Sequence, residues 1–358
     1  MIIVHDRGAR PRAALRRFSR STTMTLLCVT VAGYLALGAA SSGEFFQGPS
    51  VRTFLQYLAT PILIGLAQMA ALCVGQLNLA VGAMGGFTAC LMGVLMADDG
   101  VPAPIAVVAG VLAAALIGLA TGVFIVATRI NGFIVTLGTM TILLGAQYRL
   151  VGTRTVDAYS PTLKDIGRAA PLNLPMVFLA ALAAAALLAA FMYRVAAGRR
   201  LLAAGGNPLA ARLSGISTDR QIVIAHTLSG LLVGIAAATA TASLPGVNSS
   251  VGGDWLLPSF AAPIIGGVSL NGGSVAVFGT VLAAFVMRLI DAARAQFSLD
   301  PSWVNFLIGL VVLGTVVGGH IHQRRLEKKG KAVGRTPPAP AGRVQTADAA
   351  LPNAGGAR

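Results

Sequence analysis

Long stretches without a single Asp, Glu, Lys or Arg set the first limit on this chain. None occurs in the 23 residues between Arg20 and Glu44, or in the 45 between Arg52 and Asp98. Further gaps of 29, 25, 33, 33 and 23 residues follow Asp99, Arg168, Arg220, Asp254 and Asp300. A helix of about 20 apolar residues crosses a bilayer core. A charge at its centre costs at least about 2.5–3.5 kcal/mol on insertion scales. Several gaps therefore hold one spanning helix each, and the longest holds two.

Composition agrees. Hydrophobic residues make up 55% of the chain and charged residues 11%, with a mean hydropathy of +0.77. A soluble domain carries about 25% charged residues. The fold class expected is an all-α polytopic membrane protein with about ten transmembrane helices and a short cytoplasmic helix. The spans fall near residues 22–40, 54–73, 78–97, 103–127, 133–152, 173–192, 222–243, 257–270, 274–292 and 302–320. The eighth is short and runs into GGVSLNGG (266–273), which predicts a broken or partly re-entrant segment.

A net charge of +15 would suit nucleic acid, but its placement points to topology. Six arginines lie in the first 20 residues, five lie between Arg194 and Arg220, and eight basic residues follow the last span. Cytoplasmic loops carry such an excess. The expected domains are a basic cytoplasmic arm (1–20), a membrane domain (21–322, with a loop at 194–220) and a disordered cytoplasmic tail (323–358). The parity of ten spans puts both termini in the cytoplasm. The first apolar run is longer than a signal-peptide core of about 7–15 residues. Removing it would also spoil the parity, so it is read as a retained span. Nucleic acid is not expected as a partner; membrane lipid is.

Small residues recur at helical spacing. Gly110, Ala114, Gly118 and Gly122 mark the fourth span, and Gly82 with Gly86, then Gly230, Gly234 and Ala238, repeat the theme. They let backbones approach where lipid supplies no hydrophobic drive. Cys28, Cys73 and Cys90 all fall in apolar spans and read as small buried hydrophobes, with no metal site expected. Two outward loops, Thr153–Pro171 and Leu244–Leu257, are either plain connectors or a docking surface for an external partner.

Between the sixth and seventh spans the chain reads AAGGNPLAARLSGIS (203–217). Asn207 is a strong helix cap and Pro208 suits the first helical position. Gly215 suits a left-handed stop. Gly205 and Gly206 are read as freeing the chain before the cap. Leu209 and Leu213 share one face of about two turns, and Arg212 projects elsewhere. Two turns are not stable alone in water. The helix must pack against its own membrane domain or against a separate protein.

This run resembles the coupling motif of ribose-type permeases in ATP-binding-cassette importers, within the superfamily that also moves branched-chain amino acids. GFIVTLGTMTILLGAQYRLVG (132–152), HTLSGLLVGIAA (226–237), APIIGGVSLNGG (262–273) and PSWVNFLIGLVVL (301–313) support the resemblance, which covers about 50–320 in the same order. It implies a bacterial inner-membrane importer subunit for a simple sugar or polyol. It implies a homodimer or a paired permease, a separate cytoplasmic ATPase that uses the ATP, and an extracytoplasmic solute-binding protein. The ATPase-coupling residues would be Gly205, Gly206, Asn207, Pro208, Leu209, Ala211, Arg212, Leu213, Ser214 and Gly215. Candidates for the solute pathway are Asn78, Thr136, Thr139 and Gln147. One departure stands out. Where the family often has an Asp and a Ser before the third span, GQLNLAVG (75–82) carries Asn78 and Ala80.

No phosphate-binding loop is present: Gly330–Lys331 is followed by Ala332 rather than Ser or Thr. No catalytic residue or cofactor is expected. The rival readings are an ion-coupled carrier or a solute channel. Ion coupling favours mid-membrane carboxylates. Arg149, Arg288, Asp291 and His226 all sit near predicted span ends. Arg288, Asp291 and Arg294 are spaced to pair along one helix face.

Overall fold

A computed structural model describes residues 22–157 and 161–298, with residues 300, 306, 309, 310 and 314. All of these belong to one compact unit, residues 1–315. Among the described residues there are twelve α-helices and one isolated β-bridge. In chain order the helices are α1 (Thr22–Ala40), α2 (Gly48–Leu72), α3 (Val81–Ala97), α4 (Ala103–Thr128), α5 (Gly132–Val151) and α6 (Pro161–Arg168). Then come α7 (Met176–Arg194), α8 (Ala196–Gly206), α9 (Pro208–Leu213), α10 (Thr218–Ser243), α11 (Leu256–Ile265) and α12 (Val277–Gln296).

Six of these, α1, α2, α4, α5, α7 and α10, are long and apolar enough to cross a membrane. Three more occupy expected spans without meeting that measure. The third span is the 17-residue α3, and the eighth is α11, only 10 residues long. The ninth is α12, whose C-terminal half carries Arg288, Asp291 and Arg294. The tenth expected span, 302–320, lies outside the described residues except for four positions, as do the basic arm and the tail.

α2 and α10 form the centre. Every residue of α2 from Ile62 to Leu72 is buried. α10 lies antiparallel to it: Thr60 meets Thr239 at 3.2 Å, while Asn78, just past α2, bonds Ser229 at 3.0 Å. On the far side of α10 lies α4. Its buried face is Gly110, Ala114, Gly118 and Gly122, and its exposed face is Ile105, Val108, Leu112, Leu116 and Val123. Large aliphatic side chains turn outward and small ones inward, the arrangement expected where the solvent is lipid. A Cβ on Gly118 would fall on the His226 carbonyl, and one on Gly122 would sit 2.9 Å from the Val223 Cα. His226 is fully buried in this seam. At the periphery α1 packs on α12 through a ring cluster that includes Tyr34, Phe54 and Phe285.

The eighth span is broken, as its sequence suggests. α11 reaches only to the middle of α2, where a Cβ on Gly65 would lie 2.8 Å from the Ala262 Cβ. The chain then continues without helix through 266–276, until the Gly273 N–H donates to the Cys73 carbonyl at 2.9 Å. Irregular backbone at that depth is tolerated because protein surrounds it.

The chain also repeats itself, a feature the sequence reading missed. One constant offset carries α2 onto α10, and Asn78, Val81 and Gly82 onto Asn248, Val251 and Gly252. The same offset carries Val111-Leu112-Ala113-Ala114 in α4 onto Val281-Leu282-Ala283-Ala284 in α12. Because α2 and α10 run antiparallel, the second copy is inverted. Both asparagines do the same work. The Asn78 side chain accepts from Ala80 N at 3.1 Å, and that of Asn248 from Ser250 N at 3.0 Å. Each thus holds a turn that interrupts a helix, one at either end of the bundle.

Replacing Gly118 or Gly230 with Leu forces α4 and α10 apart and loses about 1–3 kcal/mol or more to overpacking. The measurement is thermal unfolding of the detergent-solubilised chain. Unchanged melting in both variants contradicts the close approach of these backbones.

Candidate functional site

The segment Val195–Ser217 forms a two-part structure at one end of the bundle. α8 is held down by buried Leu201 and Ala204. Gly205 and Gly206 do not free the chain, as the sequence reading expects; they are the last turn of α8. The reason is contact. A Cβ on Gly205 would strike the Cys73 carbonyl and sit 2.7 Å from Gly273 N, while Gly206 faces the Gly273 Cα. Three backbones therefore meet here with no side chain between them.

α9 follows at once. The Asn207 side chain accepts from Ala210 N at 3.0 Å, and Pro208 occupies the first turn. Ala211 points inward and is buried. The helix ends at Leu213, with Ser214 as its cap and Gly215 at φ +78°. Ser214 N and Gly215 N close the last turn on the carbonyls of Ala210, Ala211 and Arg212. Leu209 and Leu213 are 70% and 83% exposed. Nothing in this chain covers the shared apolar face among the described residues.

Arg212 runs sideways along the bundle. Its Nε donates to the Thr218 hydroxyl at 2.8 Å, and its guanidinium lies 3.8 Å from Asp219. Arg129, at the α4–α5 corner, pairs with the same carboxylate at 3.0 Å. Asp219 thus joins α9 to the corner of α4 and α5. Exposed pairs of this kind stabilise by about 0–1 kcal/mol. Beside them opens a cavity of about 620 Å³, lined by Gln76, Leu77, Asn131, Phe133, Arg129 and Arg212 among others.

The four pathway candidates are divided between the two interrupted turns. Asn78 is buried at the first, where its side chain donates to Ser229. Thr136, also buried, donates there to the carbonyls of Leu77 at 3.3 Å and Gly132 at 2.8 Å. Gln147 clamps the second turn: its Nε2 donates to the carbonyls of Asn248 at 3.2 Å and Val251 at 3.0 Å. Its Oε1 has no partner among the described residues. Thr139 lies between them on α5, half-buried, and donates only to its own helix at Val135. One helix, α5, thus touches both turns of the inverted pair. Sequence reasoning overlooked Gln68. In the amide orientation its surroundings require, Gln68 pairs with both the N–H and the carbonyl of Asn78. An unbroken apolar context around Gln68 was the available signal.

At the opposite end the two long loops are tied together. Val156 and Val247 exchange backbone hydrogen bonds of 2.8 and 2.9 Å. Arg154 pairs with Asp98, and that hydrogen bond and charge push the Arg154 guanidinium above its ordinary pKa.

Asn207→Ala removes the cap and costs the short helix about 1 kcal/mol. Asp219→Asn removes the negative charge that Arg129 and Arg212 share. Both variants are expected to fold and insert normally, yet to raise amide hydrogen exchange across residues 208–216. Protection equal to the wild type in both contradicts the bonding described.

Comparison with known proteins bears on this arrangement. The chain is 28% identical over 309 residues to the fructose import permease protein FrcC of Rhizobium meliloti, covering 84% of this chain and 86% of that one. It is 30% identical over 263 residues to the autoinducer 2 import system permease protein LsrC of Enterobacter sp. (strain 638), covering 73% and 76%. The Escherichia coli (strain K12 / DH10B) protein of the same name is 29% identical over 296 residues, covering 81% and 86%. No solved structure gives a significant match. The family model for the permease component of the branched-chain amino acid transport system matches residues 50–316, well over half of the sequence, and the chain belongs to that family.

Proposed function

We propose that this chain is the membrane-spanning subunit of an ATP-driven importer for a simple sugar or polyol, working with a separate ATPase and an external solute-binding protein. The observation that carries the reading is α9. It is a capped helix with two leucines turned to solvent and no cover among the described residues. An apolar helix face of this size fits a hydrophobic groove on a partner. The fructose importer among the relatives supports a sugar as the solute.

The geometry suggests how force would travel. An ATPase that grips Leu209 and Leu213 moves α9. α9 passes the motion to α8, and α8 touches both irregular segments through Gly205: the one after α2 at Cys73 and the one before α12 at Gly273. Backbone contact leaves no flexible side chain to absorb the displacement. Asp219 and Arg129 deliver the same motion to the corner that starts α5. The solute would then pass along α5, from the turn held by Gln147, past Thr139, to the turn held by Asn78 and Thr136. Discontinuous helices at the interface of inverted repeats are where transporters place such paths. Alternating access opens one turn as it closes the other. Two such subunits, identical or paired, complete the assembly in the bacterial inner membrane, with α8–α9 and both termini in the cytoplasm. The chain itself hydrolyses no ATP and holds no cofactor.

Leu209→Asp with Leu213→Asp should abolish binding of the partner ATPase, read by co-purification. Gly215→Val forces a β-branched residue into the left-handed region, at about 1–2 kcal/mol, and Arg212→Glu reverses a charge beside Asp219. These two are expected to uncouple uptake from ATP hydrolysis in reconstituted vesicles while membrane insertion persists. Normal import by all three variants overturns the coupling assignment.

A further inference from the structure

At the end of α10 opposite to α9 lies a second cavity of about 640 Å³. It opens between α2, the close of α10, the turn 250–255 and α12. α10 has 26 residues and so places this cavity roughly 35–40 Å from α9. The volume falls in the range of about 300–1,000 Å³ usual for small-molecule sites.

Its chemistry is not that of a lipid-facing crevice. Arg288 and Asp291, one turn apart on α12, both line it, as do Asp254, Trp255 and Tyr57. The spacing of Arg288 and Asp291 suggests an ion pair along α12, but none within 4 Å is made. The Arg288 guanidinium lies instead over the rings of Tyr57 and Phe54, at 5.3 and 5.8 Å from their centroids. Its buried Nε has no hydrogen-bond partner among the described residues. Pro61, also on the wall, withdraws the helix's usual donor from the Tyr57 carbonyl. Trp255 packs the six-membered edge of its indole on Gly85 of α3, where a Cβ would strike it.

The groups divide sharply by role. Asp254, Asp291 and a backbone carbonyl only accept hydrogen bonds; Arg288 and the Trp255 N–H only donate. A hydroxyl does both, so vicinal hydroxyls can bridge an acceptor on one wall and a donor on another. The indole offers a flat apolar surface for the C–H face of a sugar ring. Two carboxylates against one guanidinium disfavour an anion. We infer that this cavity is a solute-binding vestibule for a neutral polyhydroxylated molecule, with Trp255 stacking on the ring and Asp254, Asp291 and Arg288 taking its hydroxyls. The inference rests on the importer reading for its solute class, and it adds that the permease itself selects by direct contact. Its position beside the turn clamped by Gln147 puts the bound solute next to the first barrier on the proposed route.

The chain has two tryptophans, Trp255 and Trp303, so Trp303→Phe leaves Trp255 as a single reporter. The full chain in lipid nanodiscs, without ATPase or binding protein, is titrated with D-fructose, D-ribose, xylitol and L-leucine. A saturable change in Trp255 emission with at least one of the three polyols, and none with leucine, is expected. Asp291→Asn should weaken it about tenfold or more. Asp254→Asn, on an exposed turn, serves as a second variant that leaves the membrane helices untouched. No saturable response to any polyol, a response to leucine alone, or polyol binding indifferent to both substitutions overturns the vestibule. Reconstitution with the ATPase and binding protein separates the two readings. ATP-driven sugar uptake unaffected by Asp291→Asn and Asp254→Asn removes the vestibule and leaves the importer standing. A wild-type complex that moves no sugar removes the importer reading, while the titration judges the vestibule alone.

Discussion

Backbone meets backbone at one point on which the rest of this molecule turns: the Cys73 carbonyl, Gly205 and Gly273. In water, helices are driven together by their side chains. In lipid they are held by close van der Waals approach and by hydrogen bonds that have no competing solvent. The Gly273 N–H satisfies the Cys73 carbonyl, and Gly205 fits over both because it has no side chain. The contact closes the ends of two interrupted spans at once and attaches α8, and through it α9, to them. A substitution at Gly205 would therefore disturb both interrupted spans together.

The inverted repeat gives that contact its context. Each copy interrupts a helix with the same device, an asparagine that accepts from the N–H two residues on. One interruption faces α8 and α9; its counterpart faces the opposite end beside the vestibule. Gly82 of the first copy packs directly on Gly252 of the second, and Gln147 reaches across to the second from α5. The two interruptions are thus held by a few polar atoms. The surrounding seam of α4 and α10, by contrast, is glycine backbone packed directly on backbone.

Much of this was legible in the residues. Charge-free gaps located the spans because ionised side chains are expelled from hydrocarbon, whatever the fold. The Asn207-Pro208 start and Gly215 stop of α9 were readable because capping is local chemistry. The break after α11 announced itself in GGVSLNGG. The misreadings share a cause. Gly205 and Gly206 looked like a hinge because a sequence shows a missing side chain and not the neighbour that requires it to be missing. Arg288 and Asp291 looked like partners because helical spacing says who can meet along one helix, and says nothing of Tyr57 on another. The repeat was hidden because it survives in a handful of positions, Asn78 and Asn248 among them, and its inversion appears only once α2 and α10 are seen side by side.

The Val156–Val247 bridge carries a consequence of its own. It staples the linker between α5 and α7 to the linker between α10 and α11. Asn248 and Val251, a few residues further on, are the acceptors gripped by Gln147. A displacement of either loop is therefore shared by both, and it starts within a few residues of the turn that Gln147 holds. The two loops at that end are thus one tied surface rather than separate fingers, joined by covalent chain to the turn beneath.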